Sequence, residues 1–259
     1  MRYTLYDPTG NITALIEGER DAQAAAGLMQ MYPEVEQAGF VSKATSEEAD
    51  AVLEMAGGEF CGNASMCAAA WYAENNGMSS GTVRLKVSGA QSPIEVRLQK
   101  TGQESFSADV HMPPAADISS ISLCADGMEG SLPVVKGTGM VHLIIEEDSR
   151  FFSLLNEKTK AEAAVKEWCR KIGAPGLGLM FVKATEAGCS LTPLVYVPGS
   201  DTLFWEHSCA SGSSAVCMYI ARKEGRSVSL KLAQPGGILK VNSGPEGTWL
   251  SGSVRVINK

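Results

Sequence analysis

One cysteine, Cys61, lies directly before a predicted helix. Cys61 lies in residues 57–77, whose sequence is GGEFCGNASMCAAAWYAENNG: a glycine-rich turn, then an apolar run that ends at Gly77. A thiol just ahead of a helix lies beside backbone N–H groups and the positive end of the helix dipole, and both favour the thiolate. The same N–H groups can bind a carboxylate. Cys61 is therefore a candidate reactive thiol beside an anion site, although a single free cysteine is more often a small buried hydrophobe.

The sequence repeats this arrangement. Cys209 is also followed by a small, serine- and glycine-rich turn and an apolar run, which ends at Gly225. In both copies the cysteine and the closing glycine are 16 residues apart, and two alternating strands joined by a Gly/Pro turn follow, at residues 83–96 and 228–241. A cysteine at the helix start of both halves predicts two functional thiols. The other five cysteines are interpreted as core or surface thiols.

The chemistry of such a pair follows from its symmetry. Two thiols that face each other across a cleft, one as thiolate and one as thiol, form an acid–base pair. One removes a proton from a substrate carbon while the other delivers a proton to the opposite face, so the stereocentre inverts. The carbon must be acidic, as is the α-carbon of an amino acid, and N–H groups at two helix starts can stabilise the enolate-like carboxylate.

Composition narrows the class of protein. The chain has 259 residues, 44% of them hydrophobic, which allows one large or two small domains, and the repeat favours two. A net charge of −7 argues against nucleic acid or an anionic membrane as partner. We see no signal peptide and no transmembrane span, and seven cysteines do not form a dense disulfide framework. These features predict a cytoplasmic protein with a small-molecule substrate; a homodimer is left open.

Signals for a metal or a cofactor are poor. The chain has three histidines and no CxxC or HExxH motif. The glycine pairs at 57–58 and 236–237 do not form GxGxxG or a phosphate-binding loop. No lysine lies in a context that suggests a Schiff base. We therefore expect no metal and no cofactor, with the chemistry carried out by side chains.

Periodicity indicates the elements that position these residues. The best linker candidate is 113–122, PPAADISSIS, with the second half beginning near Val134. We predict domains at 1–115 and at 116–245, with the last strand, 246–259, as a candidate addition to the first. Helices are predicted at 21–31, with Asp21 as N-cap, and at 158–172. Strands are predicted within 2–16 and at 35–41, 51–55, 83–87, 94–98, 107–112, 139–145, 179–183, 194–197, 238–241 and 250–256.

Four polar residues have two interpretations each. Asn11 follows the turn at Gly10, where its amide either faces a site or caps the loop. Glu36 lies in a half-apolar strand and points either into a pocket or to solvent. His142 lies in a buried-type strand and is either a substrate-binding residue or a hydrogen-bonded core histidine, the more common case. Glu206, three residues before Cys209, either binds a substrate ammonium or forms the surface end of a strand.

The motifs FCGNASMC and CASGS, with the PTGN turn near the start, make nearly the whole chain resemble the diaminopimelate epimerase superfamily. The resemblance implies an α+β fold of two pseudo-symmetric domains, each a curved mixed or antiparallel sheet around a central helix, with the active site in the cleft between them. It implies that the two cysteines are base and acid and that Asn11 lines the pocket. The substrate carboxylate would be held by N–H groups around Gly62, Asn63, Ala210, Ser211 and Gly212.

Details depart from diaminopimelate epimerase. That enzyme has Gly-Ala-Arg after Cys-Gly-Asn and Glu-Arg before its second motif, whereas this chain has Ala64-Ser65-Met66 and Glu206-His207. A distal carboxylate favours a bidentate arginine, so its absence disfavours that substrate. PTGN, EQAGF, GGEFCGNASM, LKVSG, the Trp-Glu-x-Ser-Cys run and QPGG are similar to the histidine racemases of staphylopine-type metallophore biosynthesis. That resemblance implies that Glu36 approaches the substrate imidazole.

Other functions stay open at this point. Within the same chemistry, the chain could be a diaminopimelate epimerase or a racemase of another amino acid. A cysteine hydrolase or transferase, with Cys209 as nucleophile and His207 or His142 as base, would leave the repeat unused. A binding protein that has kept the fold would need neither thiol.

Overall fold

Strands dominate the protein. The structure, a computed structural model, describes residues 1–137, 139–186 and 188–258, and there the fold is α+β, with a large barrel-like sheet and five helices. The helices are α1 (Ala22–Met31), α2 (Gly62–Asn75), a 3₁₀ helix (Arg150–Asn156), α3 (Lys158–Ile172) and α4 (Ala210–Glu224). The strands are β1 (Tyr3–Pro8), β2 (Thr13–Glu17), β3 (Gln37–Lys43), β4 (Ala51–Met55), β5 (Ser80–Val87), β6 (Ile94–Gly102), β7 (Ser105–Met112), β8 (Asp117–Ala125), β9 (Met128–Lys136), β10 (Val141–Glu146), β11 (Leu177–Thr185), β12 (Gly188–Val197), β13 (Thr202–Trp205), β14 (Val228–Gln234), β15 (Gly237–Gly244) and β16 (Gly247–Asn258).

The first part of the sheet closes on itself around α2. Strands β1 to β7 follow one another in order, β16 pairs with β7, and β16 also pairs with β1, which completes a ring of eight strands. Helix α2 contacts all eight. Its sequence explains why it can lie inside: it is rich in alanine and buried on nearly every side, as expected of a helix that is apolar all round. The strands beside it alternate buried and exposed residues, so one face packs on the helix.

The second part of the sheet continues from β16. The order runs β16, β15, β14, β12, β11, β10, β9 and β8, with β13 paired to β12. Helix α4 packs against β9, β10, β11, β14, β15 and β16, while α3 packs against β8, β11 and β12 around its own core of Trp168, Phe151 and Leu179. Helices α2 and α4 contact each other. The two cysteine-bearing helices therefore meet where the two parts of the sheet join.

Several sequence predictions need correction. The predicted linker at 113–122 is wrong beyond residue 116, because Asp117–Ala125 forms β8, which pairs with β9 along its whole length. The second half accordingly starts before Val134. β8 ends the strand order and is mostly exposed, and an exposed edge strand tolerates the serines that resembled a linker. The strand predicted at 35–41 begins at Gln37, so Glu36 lies in the preceding loop. The 3₁₀ helix had no sequence prediction.

The remaining predicted elements are present, most of them with extended ends, but the strand predicted at 139–145 begins only at Val141. The bounds of β4 and α3 match the predictions, and Asp21 caps α1 by accepting hydrogen bonds from the N–H groups of Gln23 and Ala24. Gly77 and Gly225, predicted to close α2 and α4, have φ of 65° and 64°, the left-handed conformation that glycine adopts without strain. No helix in the described ranges is both long and apolar enough to cross a membrane.

Candidate active site

Cys61 and Cys209 occupy the same position in their helices. Each is the N-cap residue, with φ and ψ of −131° and 114° for Cys61 and −127° and 107° for Cys209. The N–H of Ala64 donates to Cys61 Sγ at 3.3 Å, and the N–H of Gly212 donates to Cys209 Sγ at 3.4 Å. Both sulfur atoms thus accept from the third residue of a helix, as an N-cap oxygen does. The first N–H groups of each helix have no partner within the helix and can hold an anion.

The two helix starts meet at one cavity. A Cβ built on Gly62 would lie 2.8 Å from Cβ of Ala210, so the first turns of α2 and α4 pack directly on each other. Both thiols line an adjoining cavity of about 340 Å³, which we call the thiol cavity. Its other lining residues are Gln37, Glu59, Phe60, Asn63, Met140, Val195, Val197, Glu206, Ala210 and Ser211. Two thiols, one from each repeat, therefore face the same cavity.

The hydrogen-bond partners of the two thiols differ. Cys61 Sγ donates to Gln37 Oε1 at 2.9 Å, and Gln37 Nε2 in turn donates to Thr13 Oγ1 at 2.9 Å. Cys209 Sγ lies 3.6 Å from Ser211 Oγ. The backbone N–H of Cys209 donates to Gln234 Oε1 at 2.8 Å, which fixes the start of α4. The local helix geometry is repeated, but the surroundings of each sulfur are specific to its half.

Burial favours the protonated form of both thiols. It is the largest cause raising the pKa of Cys61; the N–H of Ala64 lowers that pKa, and the carboxylates of Glu206 and Glu59 raise it. The pKa of Cys209 is also raised well above its ordinary value by burial and then by Glu206. Negative charge beside a thiol disfavours the thiolate. A cation entering the cavity would reverse that effect.

Two acceptors in the wall of the thiol cavity have no partner in the described residues. Asn63 is 2% exposed; its Nδ2 donates to the carbonyl of Ser208 at 2.9 Å, but its Oδ1 is unpaired. Glu59 Oε2 is buried and also unpaired, and burial raises the pKa of this carboxyl. Burial, followed by the charge of Glu36, raises the pKa of Glu206 to about 8. Buried acceptors without partners destabilise a protein, so a ligand that brings donors fits this wall.

A second cavity of about 380 Å³ adjoins the first, and we call it the side cavity. Glu36 lines it and is only 7% exposed, which rules out the solvent-facing interpretation. The Glu36 carboxylate accepts from the backbone N–H of His207 at 3.1 Å, contacts the His207 ring Nδ1, and accepts from Asn11 Nδ2 at 2.8 Å. Glu206 lines both cavities. The structure therefore brings Glu36 and Glu206 to the same region as the thiols.

Neither Asn11 nor His142 lines the thiol cavity, but each contacts residues beside it. Asn11 is fully buried, lines neither cavity, and donates to Glu36 and to the carbonyl of Ser208 at 2.9 Å, so it positions other residues. His142 is 3% exposed and contacts Ser211 Oγ at 3.1 Å through Nε2. Burial lowers its pKa to about 4, so the ring is neutral. His142 lines an apolar cavity of about 400 Å³ that shares Phe60, Met140 and Ser211 with the thiol cavity.

The bases required by the hydrolase interpretation are not bonded to Cys209 in the described residues. The ring Nδ1 of His207 contacts Glu36, and His142 contacts Ser211 rather than the thiol. Sequence reasoning also missed four residues: Gln37, Glu59, Ser208 and Gln234. Gln37 and Glu59 stand inside the quoted motifs EQAGF and GGEFC, but nothing local showed that they face a cysteine. In the described ranges, no three histidine, cysteine or acidic side chains are grouped so as to hold a metal ion.

Comparisons with known proteins cover almost the entire chain. A family model described as the histidine racemase CntK N-terminal domain matches residues 1–256. The histidine racemase of Staphylococcus aureus is 25% identical over 251 residues, which cover 94% of this chain and 88% of that protein. The histidine racemase of Fusobacterium nucleatum is 27% identical over 265 aligned positions, which cover 97% of this chain and 92% of that protein.

Solved structures share the fold at low identity. A protein of Pseudomonas aeruginosa described as a predicted epimerase has a TM-score of 0.67 at 14% identity, over 99% of this chain and 96% of that chain. A hydroxyproline epimerase of Agrobacterium vitis, with bound trans-4-hydroxy-L-proline, has a TM-score of 0.63 at 13% identity, over 99% and 88%. The family model spans far more than half of the sequence. The chain therefore belongs to the histidine racemase family that the CntK N-terminal domain describes, and it is an isomerase of the amino-acid racemase and epimerase class.

Proposed function

We propose that this protein inverts the α-carbon of histidine by moving protons between that carbon and the two thiols, without a cofactor. The observation that carries the proposal is that Cys61 and Cys209 cap two helices whose first turns pack together at one cavity. A binding protein would need neither thiol, and a single-nucleophile enzyme would need only one.

The reaction balances with these groups alone. One cysteine, as thiolate, takes the proton from Cα on one face, and the electron pair left behind is delocalised into the substrate carboxylate. The other cysteine, as thiol, gives its proton to the opposite face of the same carbon. The site ends with thiol and thiolate exchanged and the stereocentre inverted. The first N–H groups of α2 and α4 are suited to hold the carboxylate as its charge grows.

The charge of the substrate helps to create the base. The carboxylates of Glu206 and Glu59 contribute to the raised pKa of Cys61. A substrate ammonium placed beside Glu206 brings a positive charge close to the thiols and so lowers their pKa. A base that is formed in a dry site is stronger than one in water, because no water shell stabilises its anion. We infer that deprotonation of one thiol is coupled to substrate binding.

Histidine is favoured over diaminopimelate by the lining of the two cavities. Among the described residues, neither lining contains an arginine or a lysine, which a distal carboxylate would need, while Glu36, Glu59 and Glu206 all line the side cavity. Carboxylates are suited to an imidazole N–H. The curated histidine racemases that match over 94% or more of this chain support the same substrate.

We further propose that the two repeats are pseudo-symmetric domains. The pairing of β2 with β3 and of β4 with β5 is parallel, across α1 and α2, with an antiparallel pairing between them. The pairing of β10 with β11 and of β12 with β14 is likewise parallel, across α3 and α4. Domains at 1–115 and 116–245 fit this division, and the pairing of β16 with β7 and β1 supports the addition of 246–259 to the first.

The test is deuterium incorporation at Cα in D2O, with histidine, diaminopimelate, glutamate and alanine offered separately. We expect exchange and loss of optical activity with histidine, several orders of magnitude faster than with the others, because a site that bonds a polar side chain rejects analogues by about 10⁴-fold. Exchange into diaminopimelate with none into histidine would refute the substrate and leave the two-thiol chemistry intact. Exchange by a Cys61→Ser variant at the wild-type rate, with inversion, would refute the chemistry itself.

A further inference from the structure

The thiol cavity and the side cavity share part of their walls. Gln37, Glu59, Val195, Val197 and Glu206 line both. A substrate whose α-carbon lies between the thiols can therefore extend its side chain past Glu59 and Glu206 into the side cavity. The shared residues make the two cavities neighbours, so the side chain of such a substrate has one continuous wall to follow.

The side cavity combines acids with apolar walls. Glu36, Glu59 and Glu206 line it, and within the described ranges its lining includes no lysine, arginine or histidine. Met29 and Phe204 supply apolar surface on which a flat ring can pack. His207 contacts Glu36 and the charge of Arg20 acts on Glu59, yet burial still raises the pKa of all three acids, so further N–H donors would stabilise their ionised forms. A side chain that is flat, carries N–H donors and accepts a proton matches this lining.

Glu59 is the carboxylate with an unused acceptor. Glu36 is already engaged by Asn11 and His207. Glu206 lies at the junction near Cys209, whose pKa its charge raises. In contrast, Glu59 Oε2 is buried without a hydrogen-bond partner in the described residues. The backbone N–H groups of Gly57 and Glu59 and the charge of Arg20 act on this carboxyl, but burial outweighs them and raises its pKa, so another N–H donor would stabilise its ionised form.

The position of that oxygen assigns it to the side cavity. A Cβ built on Gly57 would lie 2.5 Å from Glu59 Oε2, 2.6 Å from Val197 Cγ1 and 3.1 Å from Ser200 Oγ. Gly57, Val197 and Ser200 all line the side cavity, whereas only Val197 also lines the thiol cavity. The close approach explains why glycine stands at position 57. The unpaired Asn63 Oδ1, in contrast, belongs to the thiol cavity, where the ammonium of the substrate would lie.

We propose that the side cavity is the subsite for the substrate side chain and that Glu59 is a specificity-determining residue, whose carboxylate accepts a hydrogen bond from a ring N–H. This inference rests on the proposed function, and it adds a residue to which the sequence analysis gave no role. It predicts that Glu59 distinguishes substrates by their side-chain donors, not by their α-substituents.

The experiment compares L-histidine with L-β-(2-thienyl)alanine, a ring of similar size without an N–H, in wild-type protein and in Glu59→Gln. The measured quantity is kcat/KM for Cα deuterium exchange; where the thienyl analogue exchanges too slowly, its inhibition constant against histidine exchange replaces it. We expect kcat/KM for histidine to fall about 10- to 100-fold, the range for one hydrogen bond to a charged group, with the thienyl value changed less than about threefold. Glu54→Gln, at an exposed glutamate of β4, is the matched control and should change neither.

The outcomes distinguish a failure of this inference from a failure of the proposed function on which it rests. An equal loss for both compounds would overturn it, because Glu59 would then contact the shared ammonium or support the fold. Unchanged discrimination between the two compounds would overturn it as well. A wild-type protein that exchanges no deuterium into histidine would instead refute the proposed substrate, whatever Glu59 does.

Discussion

The contact between Gly62 and Ala210 offers a way to test whether the spacing of the two thiols governs activity. Both residues are the first of their helices, directly after the cysteines, and a Cβ on Gly62 would lie 2.8 Å from the Ala210 Cβ. Non-bonded carbons rest at about 3.5–4.0 Å. Both methyl groups are fixed to backbone, so in Gly62→Ala the starts of α2 and α4 must separate by about 1 Å. The side chain of Met112, which a Cβ at position 62 would also approach, is flexible and can yield.

The expected effect is large on rate and small on stability. A displacement of about 1 Å in a catalytic geometry lowers a rate by about 10²-fold. Overpacking destabilises a fold by about 1–3 kcal/mol, but replacing a helical glycine by alanine recovers about 1 kcal/mol. The free energy of unfolding should therefore fall by no more than about 2 kcal/mol. The variant should fold and yet turn over histidine about 100-fold more slowly.

The assay is histidine racemisation by chiral chromatography, beside thermal unfolding. Gly27→Ala is the control: Gly27 is an exposed residue of α1 with open space around it, so this variant should keep full activity and gain about 1 kcal/mol. The double variant with Gly62→Ala and Ala210→Gly restores one methyl group at the contact and should recover most of the rate. A near-normal rate for Gly62→Ala, or no recovery in the double variant, would refute the reasoning.

Four further predictions concern the thiols, the removal of metal ions and the buried acid Glu206. Cys61→Ser and Cys209→Ser should each abolish racemisation, because a hydroxyl is too weak an acid and base, whereas Cys124→Ser, at an exposed thiol, should not; optical rotation measures both. Mild oxidants should inactivate the protein with the loss of two titratable thiols, and a reductant should restore the rate, since both thiols line one cavity. Dialysis against EDTA should leave the rate unchanged. Wild-type protein should lose thermal stability as pH rises from about 4.5 to about 8, because the pKa of Glu206 is raised to about 8 in the folded protein from its ordinary value of 4.5; Glu206→Gln should flatten this dependence in thermal unfolding.

The sequence carried the information for the helix starts because that information is local. A cysteine, a small turn and an alanine- or serine-rich run are enough to predict an N-cap, and the structure shows both sulfur atoms accepting from the N–H three residues later. The equal spacing to Gly77 and Gly225 marked the ends of the same helices, where both glycines have positive φ. The roles of the two thiols remain predictions, whereas their placement at one cavity is observed.

The polar partners could not be found in the same way because they come from distant parts of the chain. Gln37 reaches Cys61 across 24 positions, and Gln234 reaches Cys209 across 25. From the sequence alone, both glutamines would be predicted to face solvent, because a polar residue in a strand most often does so. Only the closure of the sheet, which places β3 beside α2 and β14 beside α4, turns these side chains towards the thiols.

The differences between the two sulfur environments also show where symmetry stops. The repeat supplies matching N-caps, but Cys61 donates to an amide oxygen, which cannot take up a proton, whereas Cys209 lies near the hydroxyl of Ser211 and the charge of Glu206. A racemase must act on both enantiomers, yet nothing requires it to hold its resting proton equally on both thiols. An amide acceptor favours the protonated thiol at Cys61, because its oxygen binds only the S–H form. The structure therefore shows unequal surroundings that act in the same direction: an amide acceptor favours the thiol form at Cys61, and the negative charge of Glu206 favours it at Cys209.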